Sequence, residues 1–297
     1  MIVFLVTPEH PYTLEEVTPR YPGVTVLTYD QLFGRADVSL PRATYVFSDL
    51  DRLARWRLVT VAGLYRQLRG AGLKVLNDPA RSLSRFGLLR RLHDTGVNDF
   101  NAYRVEDGVM PAKWPVLLRQ EGDHNGPYPE LLHSPADVER VVERLTAGGI
   151  PVSNMLLVEY CAEPVIPGLF RKLSMFRIGE AYFAANCVHE ESWVIKHGAK
   201  GIATPELYDD DFRIVRDNPY LDAIRPAFEL AHVEYGRLDF ALVGGRPQVY
   251  EINLNPHVGF GGEHPSPARA ASFPIFEKNF VDALAAIDTP VAAAAAR

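Results

Sequence analysis

The chain reads as a mixed α/β protein that begins with a small parallel-sheet unit, and three observations predict this. Strand and helix signals alternate over roughly the first 80 residues. In the middle of the chain, a polar, glycine-bearing loop follows a short apolar run, and a capped helix and a second strand come after it. Beyond Lys172 the strand signals lengthen and include antiparallel candidates.

In the first unit, strands are expected over 2–7, 24–29, 44–48 and 74–77, each a short apolar run bounded by turn residues. A helix over 51–70 puts Leu53, Val61, Leu64, Tyr65 and Leu68 on one side, and Gly70 and Gly72 stop it. Asn77-Asp78-Pro79 breaks the alternation. A helix over 83–94 follows, and Arg81, Arg85, Arg90 and Arg91 form a basic set on and just before it. From Tyr103 to Glu159 the order is strand, loop, strand, helix, strand. Residues 114–120 form a strand, Glu121 to Pro127 the loop, and Ser134-Pro135-Ala136-Asp137 caps a helix to about 147. The strand after it covers 155–160. Later strands are expected over 172–178, 180–188, 237–243 and 247–255, interrupted by a helix over 220–233. An alanine-rich tail, 291–297, is expected to be disordered.

Composition excludes several classes. A length of 297 residues gives a prior of about two domains. With 23% charged, 47% hydrophobic and 10% aromatic residues, disordered, collagenous and coiled-coil classes drop out. The 31 basic and 37 acidic residues leave a net charge of −6, which argues against a broad nucleic-acid or membrane footprint. Cys161 and Cys187 form no framework, the first strand is too short for a signal peptide, and no stretch suits a membrane span, so a cytoplasmic protein is expected. There is no Gly-Lys dipeptide for a Walker A loop, no G-x-S-x-G, no H-E-x-x-H, and no G-x-G-x-x-G after the first strand.

One stretch carries chemistry. Gly236 to Pro256 reads as a hairpin in which Leu238, Phe240 and Leu242 share a face with Tyr250, Ile252 and Leu254. Arg237, Asp239 and Ala241 then lie on the other face with Glu251, Asn253 and Asn255. A two-residue Gly244-Gly245 turn would set Asp239 against Tyr250 and mix the faces. A three-residue turn, 244–246, instead pairs Val243 with Pro247, Asp239 with Glu251 and Arg237 with Asn253, and is the register expected here. Two carboxylates and an amide oxygen are hard oxygen ligands of the kind that hold Mg²⁺ beside phosphates.

Arg237-Leu-Asp239 followed by Glu251-Ile-Asn253-Leu-Asn255-Pro256 resembles the metal-binding hairpin of the ATP-grasp superfamily, which includes D-alanine–D-alanine ligases and glutathione synthetases. The resemblance covers most of the chain after about Val75. It implies an ATP-grasp fold: a pre-ATP-grasp unit over 1–79, then an ATP-grasp domain over 80–290. A lid subdomain at about 103–160 and a metal-binding subdomain at about 165–290 would clamp the nucleotide.

The resemblance also implies roles. ATP and one or two Mg²⁺ ions are the expected cofactors, with Mn²⁺ as an alternative, and Asp239, Glu251 and Asn253 as metal ligands. Arg85 and Arg119 fall where basic residues touch the phosphates, Arg119 standing where relatives carry lysine, which its fork does not simply replace. The glycine loop 122–126 would close over the phosphates. Glu159 would accept from the adenine amine, the backbone at Tyr160 and Ala162 would complete that contact, and Glu163 would bind ribose. Lys172 and Arg177 would face the nucleotide, Lys196 would contact phosphate or the acyl group, and Arg237 would steady an oxyanion. The implied reaction is carboxylate–amine ligation through an acyl phosphate, on an amino acid or peptide, and a homodimer enters by analogy alone. A kinase on the same scaffold and a non-catalytic nucleotide-binding protein are the alternatives, the latter favoured only by Arg119.

Overall fold

Three sheets organise the molecule, for which a computed structural model describes residues 1–34, 39–122 and 126–288. The alanine tail and residues 123–125 of the glycine loop lie outside the described residues.

The first sheet contains β1 (Ile2–Val6), β2 (Val24–Thr28), β3 (Thr44–Phe47) and β4 (Val75–Leu76), all parallel, in the order β2-β1-β3-β4. Every residue of β1 and β3 is buried, so these strands read as apolar runs rather than alternating ones. Helices α1 (Val17–Arg20), α2 (Tyr29–Phe33) and α3 (Arg55–Gly70) complete the unit. The last starts at Arg55 rather than Asp51, because a 3₁₀ turn at Leu50–Arg52 first takes the chain off β3. Helix α4 (Arg85–Asp94) follows, its N-terminus capped by the Ser84 hydroxyl, which accepts from the Gly87 N–H.

The second sheet is antiparallel, in the order β5-β8-β6-β7, from β5 (Ala102–Arg104), β6 (Val116–Gln120), β7 (Leu131–Leu132) and β8 (Met155–Glu159). Between β7 and β8 runs α5 (Pro135–Ala147), capped by Ser134 as the sequence predicts.

The third sheet holds β9 (Phe170–Ile178), β10 (Ala181–Ala184), β11 (Val188–Glu190), β12 (Tyr235–Val243) and β13 (Arg246–Asn253). Its helices are α6 (Pro205–Asp217), α7 (Leu221–Ala231) and α8 (Pro267–Ile287). The strand expected over 180–188 is two pieces, both on β9. Ala184 pairs with Met175 and Val188 with Lys172, so one more residue is used on this side than on β9 and the ladder breaks between them. The sequence reading assigns nothing to α6 or α8, and α8 carries Pro274 in its interior, where proline removes a helix hydrogen bond.

The hydrophobic cores cross between the first and third sheets. Leu5, Tyr45 and Phe47 pack with Leu173, Met175, Phe228 and Leu238. On the other face, Ile2, Phe4 and Val46 join Phe176, Phe183, Phe276 and Phe280, whose ring centroids lie 5.4–6.1 Å apart. The second sheet has a core of its own, with Val116, Leu118, Val138, Val141, Leu145 and Met155. A small cluster of Leu89, Phe100, Ala102, Leu156 and Val158 links it to α4, with Tyr250 and Cys161 against it. Among the described residues, no helix is long and apolar enough to cross a membrane.

Candidate functional site

The hairpin reaches the expected pairing by an unexpected route. Gly244 and Gly245 take φ of +57° and +77°, forming a two-residue turn that pairs Val243 with Arg246. The three-residue turn inferred from the sequence is therefore corrected: both glycines supply the positive φ that the shorter turn needs. A bulge then restores the register. Phe240 pairs with Val249 and Asp239 with Glu251, leaving Tyr250 as the extra residue, and Arg237 faces Asn253.

Cations crowd these carboxylates. Arg237 grips Asp239 with two bonds, Nε to Oδ1 at 2.8 Å and Nη2 to Oδ2 at 3.1 Å. The Ser174 hydroxyl donates to Asp239 Oδ1 at 2.9 Å, and Lys172 Nζ lies 3.4 Å from Oδ2. Arg85 Nη2 donates to Glu251 Oε2 at 2.9 Å, and Arg119 Nη2 stands 3.9 Å from the same oxygen. Burial alone would raise the Glu251 carboxyl, but Arg85, Arg119 and Lys172 outweigh it and hold the group at about 2. Asn253 Nδ2 points at Glu251 Oε1, 3.4 Å away.

This set suits a hard divalent cation. It offers carboxylate oxygens from Asp239 and Glu251 and the amide oxygen of Asn253 on one face. Among the described residues, no three His, Cys, Asp or Glu side chains gather to hold a metal. The surrounding cations suit an anionic ligand.

The other expected residues divide into those brought to this site and those placed elsewhere. Lys172 and Ser174 share a face of β9. Arg177, an odd number of residues further on, is on the opposite face, where it donates to the Gly179 and Val233 carbonyls; its expected place toward the nucleotide is corrected by strand parity. Asn255 also leaves the patch. It accepts from the Thr13 hydroxyl at 2.9 Å and donates to Asp49 Oδ2 at 3.0 Å, tying the end of the hairpin to the first sheet's loops.

At the end of β8 the structure gives Glu159 other partners than a base. Its carboxylate is 3% exposed and accepts from the Asn101 and Lys113 N–H groups and the Tyr103 hydroxyl, each at 2.9 Å. The expected reach of its carboxylate to adenine is corrected accordingly. The Glu163 carboxylate accepts from the Gly244 N–H at 2.7 Å, so it meets the hairpin turn. Burial pushes the Cys161 thiol up to about 11, which makes it a poor nucleophile. Tyr160 meets Trp193 edge to face, with ring centroids 5.4 Å apart.

Lys196 lies on an exposed loop after β11. The Glu190 carboxylate organises this loop, accepting from the N–H groups of Lys196, His197 and Gly198 at 3.0, 3.1 and 2.8 Å. A Cβ on Gly126, which has φ of +93°, would come within 3.1 Å of Lys196 Cε, so glycine lets the lysine stem lie across the end of the glycine loop. Sequence reasoning missed Ser174, Glu190 and Tyr250. The first could have been found by parity with Lys172; the other two carry no local signal.

A cleft of about 420 Å³ runs from this patch along the edge of β13. Arg85, Glu251 and Asn253 line it together with Leu58, Leu83, Glu121 and Asn154.

No family model matches the chain, and no curated protein is similar to it. Solved structures are. The D-alanine–D-alanine ligase from Bacillus anthracis complexed with ATP matches over 97% of each chain, with a TM-score of 0.54 at 10% identity. That from Coxiella burnetii matches over 96% of this chain and 94% of its own, with a TM-score of 0.52 at 13% identity. The ATP-grasp ligase PsnB, complexed with a phosphomimetic variant of its minimal precursor, Mg and ADP, matches over 95% and 97%, with a TM-score of 0.52 at 14% identity. At such identities the likeness is one of fold.

Proposed function

We propose that this chain, which has the ATP-grasp fold, is an ATP-dependent carboxylate–amine ligase that releases ADP and phosphate and acts on an amino acid or peptide. The observation that carries this reading is the pairing of Asp239 with Glu251 and of Arg237 with Asn253 on one sheet face, ringed by Arg85, Arg119 and Lys172. The B. anthracis ligase is complexed with ATP, and PsnB with Mg and ADP.

Asp239, Glu251 and Asn253 would hold Mg²⁺, which draws charge from the β- and γ-phosphates. Arg85, Arg119, Lys172 and Lys196 grip the phosphates. Base contacts fall to the Tyr160 carbonyl and the Ala162 backbone, because the Glu159 carboxylate and the Tyr160 N–H are engaged within the second sheet. A substrate carboxylate oxygen attacks the γ-phosphorus in line, and the bridging P–O electron pair leaves with ADP. The amine then attacks the acyl carbon, and phosphate departs with the C–O electron pair and takes up the proton shed by the amine nitrogen. Arg237 steadies the oxyanion of that tetrahedral state. The loop bearing Lys196 and the glycine loop exclude water from the acyl phosphate.

Calorimetric titration with ATP, in Mg²⁺ and then in EDTA, tests this beside an Asp239→Asn/Glu251→Gln double variant. Mg²⁺-dependent binding that is lost in the variant, with ADP release in a screen of amino acids and peptides, supports the ligase. Binding with no ADP release under any substrate pool makes the protein a nucleotide-binding module. A phosphorylated product without free phosphate makes it a kinase.

A further inference from the structure

We propose that His10 is the base that frees the amine substrate for attack. The proposal rests on the ligase reading above and adds to it a catalytic residue from the first sheet.

That sheet runs in the order β2-β1-β3-β4, so the path of the chain across it reverses between β1 and β3. Open parallel sheets hold ligands beyond the carboxyl ends of strands at such a point. Thr7 and His10 follow β1 there, and Asp49 follows β3. Asp49 is fully buried and takes φ of +53°, a left-handed conformation uncommon for a residue other than glycine.

Hydrogen bonding sets the tautomer of His10. Asp49 Oδ2 accepts from the Thr7 N–H and hydroxyl, each at 2.9 Å, and from Asn255 Nδ2 at 3.0 Å. Arg52 Nε lies 3.2 Å from Oδ1. A carboxylate only accepts, so the single hydroxyl proton of Thr7 goes to Asp49. In the 2.6 Å contact between Thr7 Oγ1 and His10 Nδ1, the imidazole must then donate. Nδ1 carries the hydrogen, and Nε2 keeps its lone pair. The His10 side chain is 20% exposed, which gives the ring a route to solvent.

This group adjoins the hairpin. Asn255, two residues beyond Asn253, donates to the His10 carbonyl at 3.3 Å as well as to Asp49. Tyr235 shares a strand face with Arg237 and Asp239. Burial and the Asp49 charge raise its hydroxyl while Arg237 opposes them, so Asp49 and Arg237 both lie near that one group. Arg237 is the residue given the oxyanion above, and the amine attacks the same carbon.

At neutral pH an alkyl amine is an ammonium ion with no lone pair. One of its protons passes to His10 Nε2, and the freed pair forms the C–N bond. The second proton leaves with phosphate, as above, and the imidazolium returns the first to solvent.

The test compares nucleophiles. Hydroxylamine is already a free base at neutral pH and captures the acyl phosphate as a hydroxamate, whereas the amino acids and peptides of the screen arrive as ammonium ions. His10→Ala and His10→Gln should lower amide formation with the amino-acid and peptide pool by about 100-fold or more, and hydroxamate formation from the same pool by no more than about twofold. Thr7→Val should lower amide formation about tenfold, and Thr7→Ser should restore it. ATP affinity should stay unchanged in all four. Equal losses with both nucleophiles, or amide formation at the wild-type rate in the His10 variants, overturns the proposal and leaves the ligase reading standing. A wild type that releases no ADP with either nucleophile overturns both.

Discussion

The hydroxyl of Tyr250 donates to the carbonyl of Cys161 at 2.7 Å, joining the β12–β13 hairpin to the segment that follows β8. Tyr250 is the extra residue of the bulge, so the irregularity that aligns Asp239 with Glu251 also aims this side chain. Tyr250→Phe should remove about 1 kcal/mol of net hydrogen bonding and weaken ATP about fivefold. Tripolyphosphate, which has no base, should bind as before. Equal losses for both in parallel titrations would show that the bond only supports the fold.

Arg237 is clamped on Asp239, yet its proposed work comes after ATP is bound. Arg237→Ala should therefore lower kcat about 100-fold or more, with ATP affinity changed only a few-fold. Steady-state kinetics with calorimetry separates the two, and a loss confined to affinity removes Arg237 from the chemical step.

Glu190 satisfies three consecutive N–H groups of the loop that carries Lys196. Glu190→Ala should release the loop, lower kcat/KM for ATP by about tenfold or more, and speed proteolytic nicking within 191–199. Unchanged nicking would mean that the loop holds its shape by other contacts.

Phe280 is fully buried among Phe176, Phe183, Phe260 and Phe276. Phe280→Ala should cost about 3–5 kcal/mol of stability, read as a lowered urea midpoint. A loss under about 1 kcal/mol would mean that the cluster closes over the cavity.

Behind β9 lies a buried polar group in which His189 Nε2 is 3.6 Å from Asp211 Oδ2, with Arg171, Arg269, Tyr208, His264 and Cys187 around them. Burial, helped by Arg171, Arg269 and His264, lowers His189 from 6.5 to about 4. The unfolded chain takes up this proton near pH 6.5 and the fold refuses it, so stability falls as pH drops through that window. Asp211, raised by burial from 3.8 to about 6 despite Arg171 and Arg269, contributes in the opposite sense between those values. His189→Gln removes only the first contribution. The wild type should lose on the order of 3 kcal/mol relative to this variant between about pH 7 and pH 4. Parallel urea midpoints across that range would refute the assignment.

The sequence carried the site's chemistry better than its path. Alternation placed Asp239 and Glu251 on one face and their pairing stands, but the parity argument that chose a three-residue turn failed. It reached that pairing through the wrong turn, because a bulge at Tyr250 has no residue signature separable from an ordinary strand. The helical cap signal at Ser134 was local and readable. The partners of Glu159 were not, since Asn101, Tyr103 and Lys113 meet it only once the lid sheet has formed. Helix α8 hid behind Pro274.

The way the hydrophobic cores are shared decides where this molecule comes apart most easily. Separating the first sheet from the third would break two cores at once, including the phenylalanine cluster. The second sheet has a core of its own, and the small Leu89–Phe100–Leu156 cluster ties it to the rest together with single contacts such as Tyr250 to Cys161, Glu163 to Gly244 and Tyr160 to Trp193. The seam between this sheet and the rest is therefore the cheaper one to open, and Tyr250, the bulge residue that sets the hairpin register, stands on it.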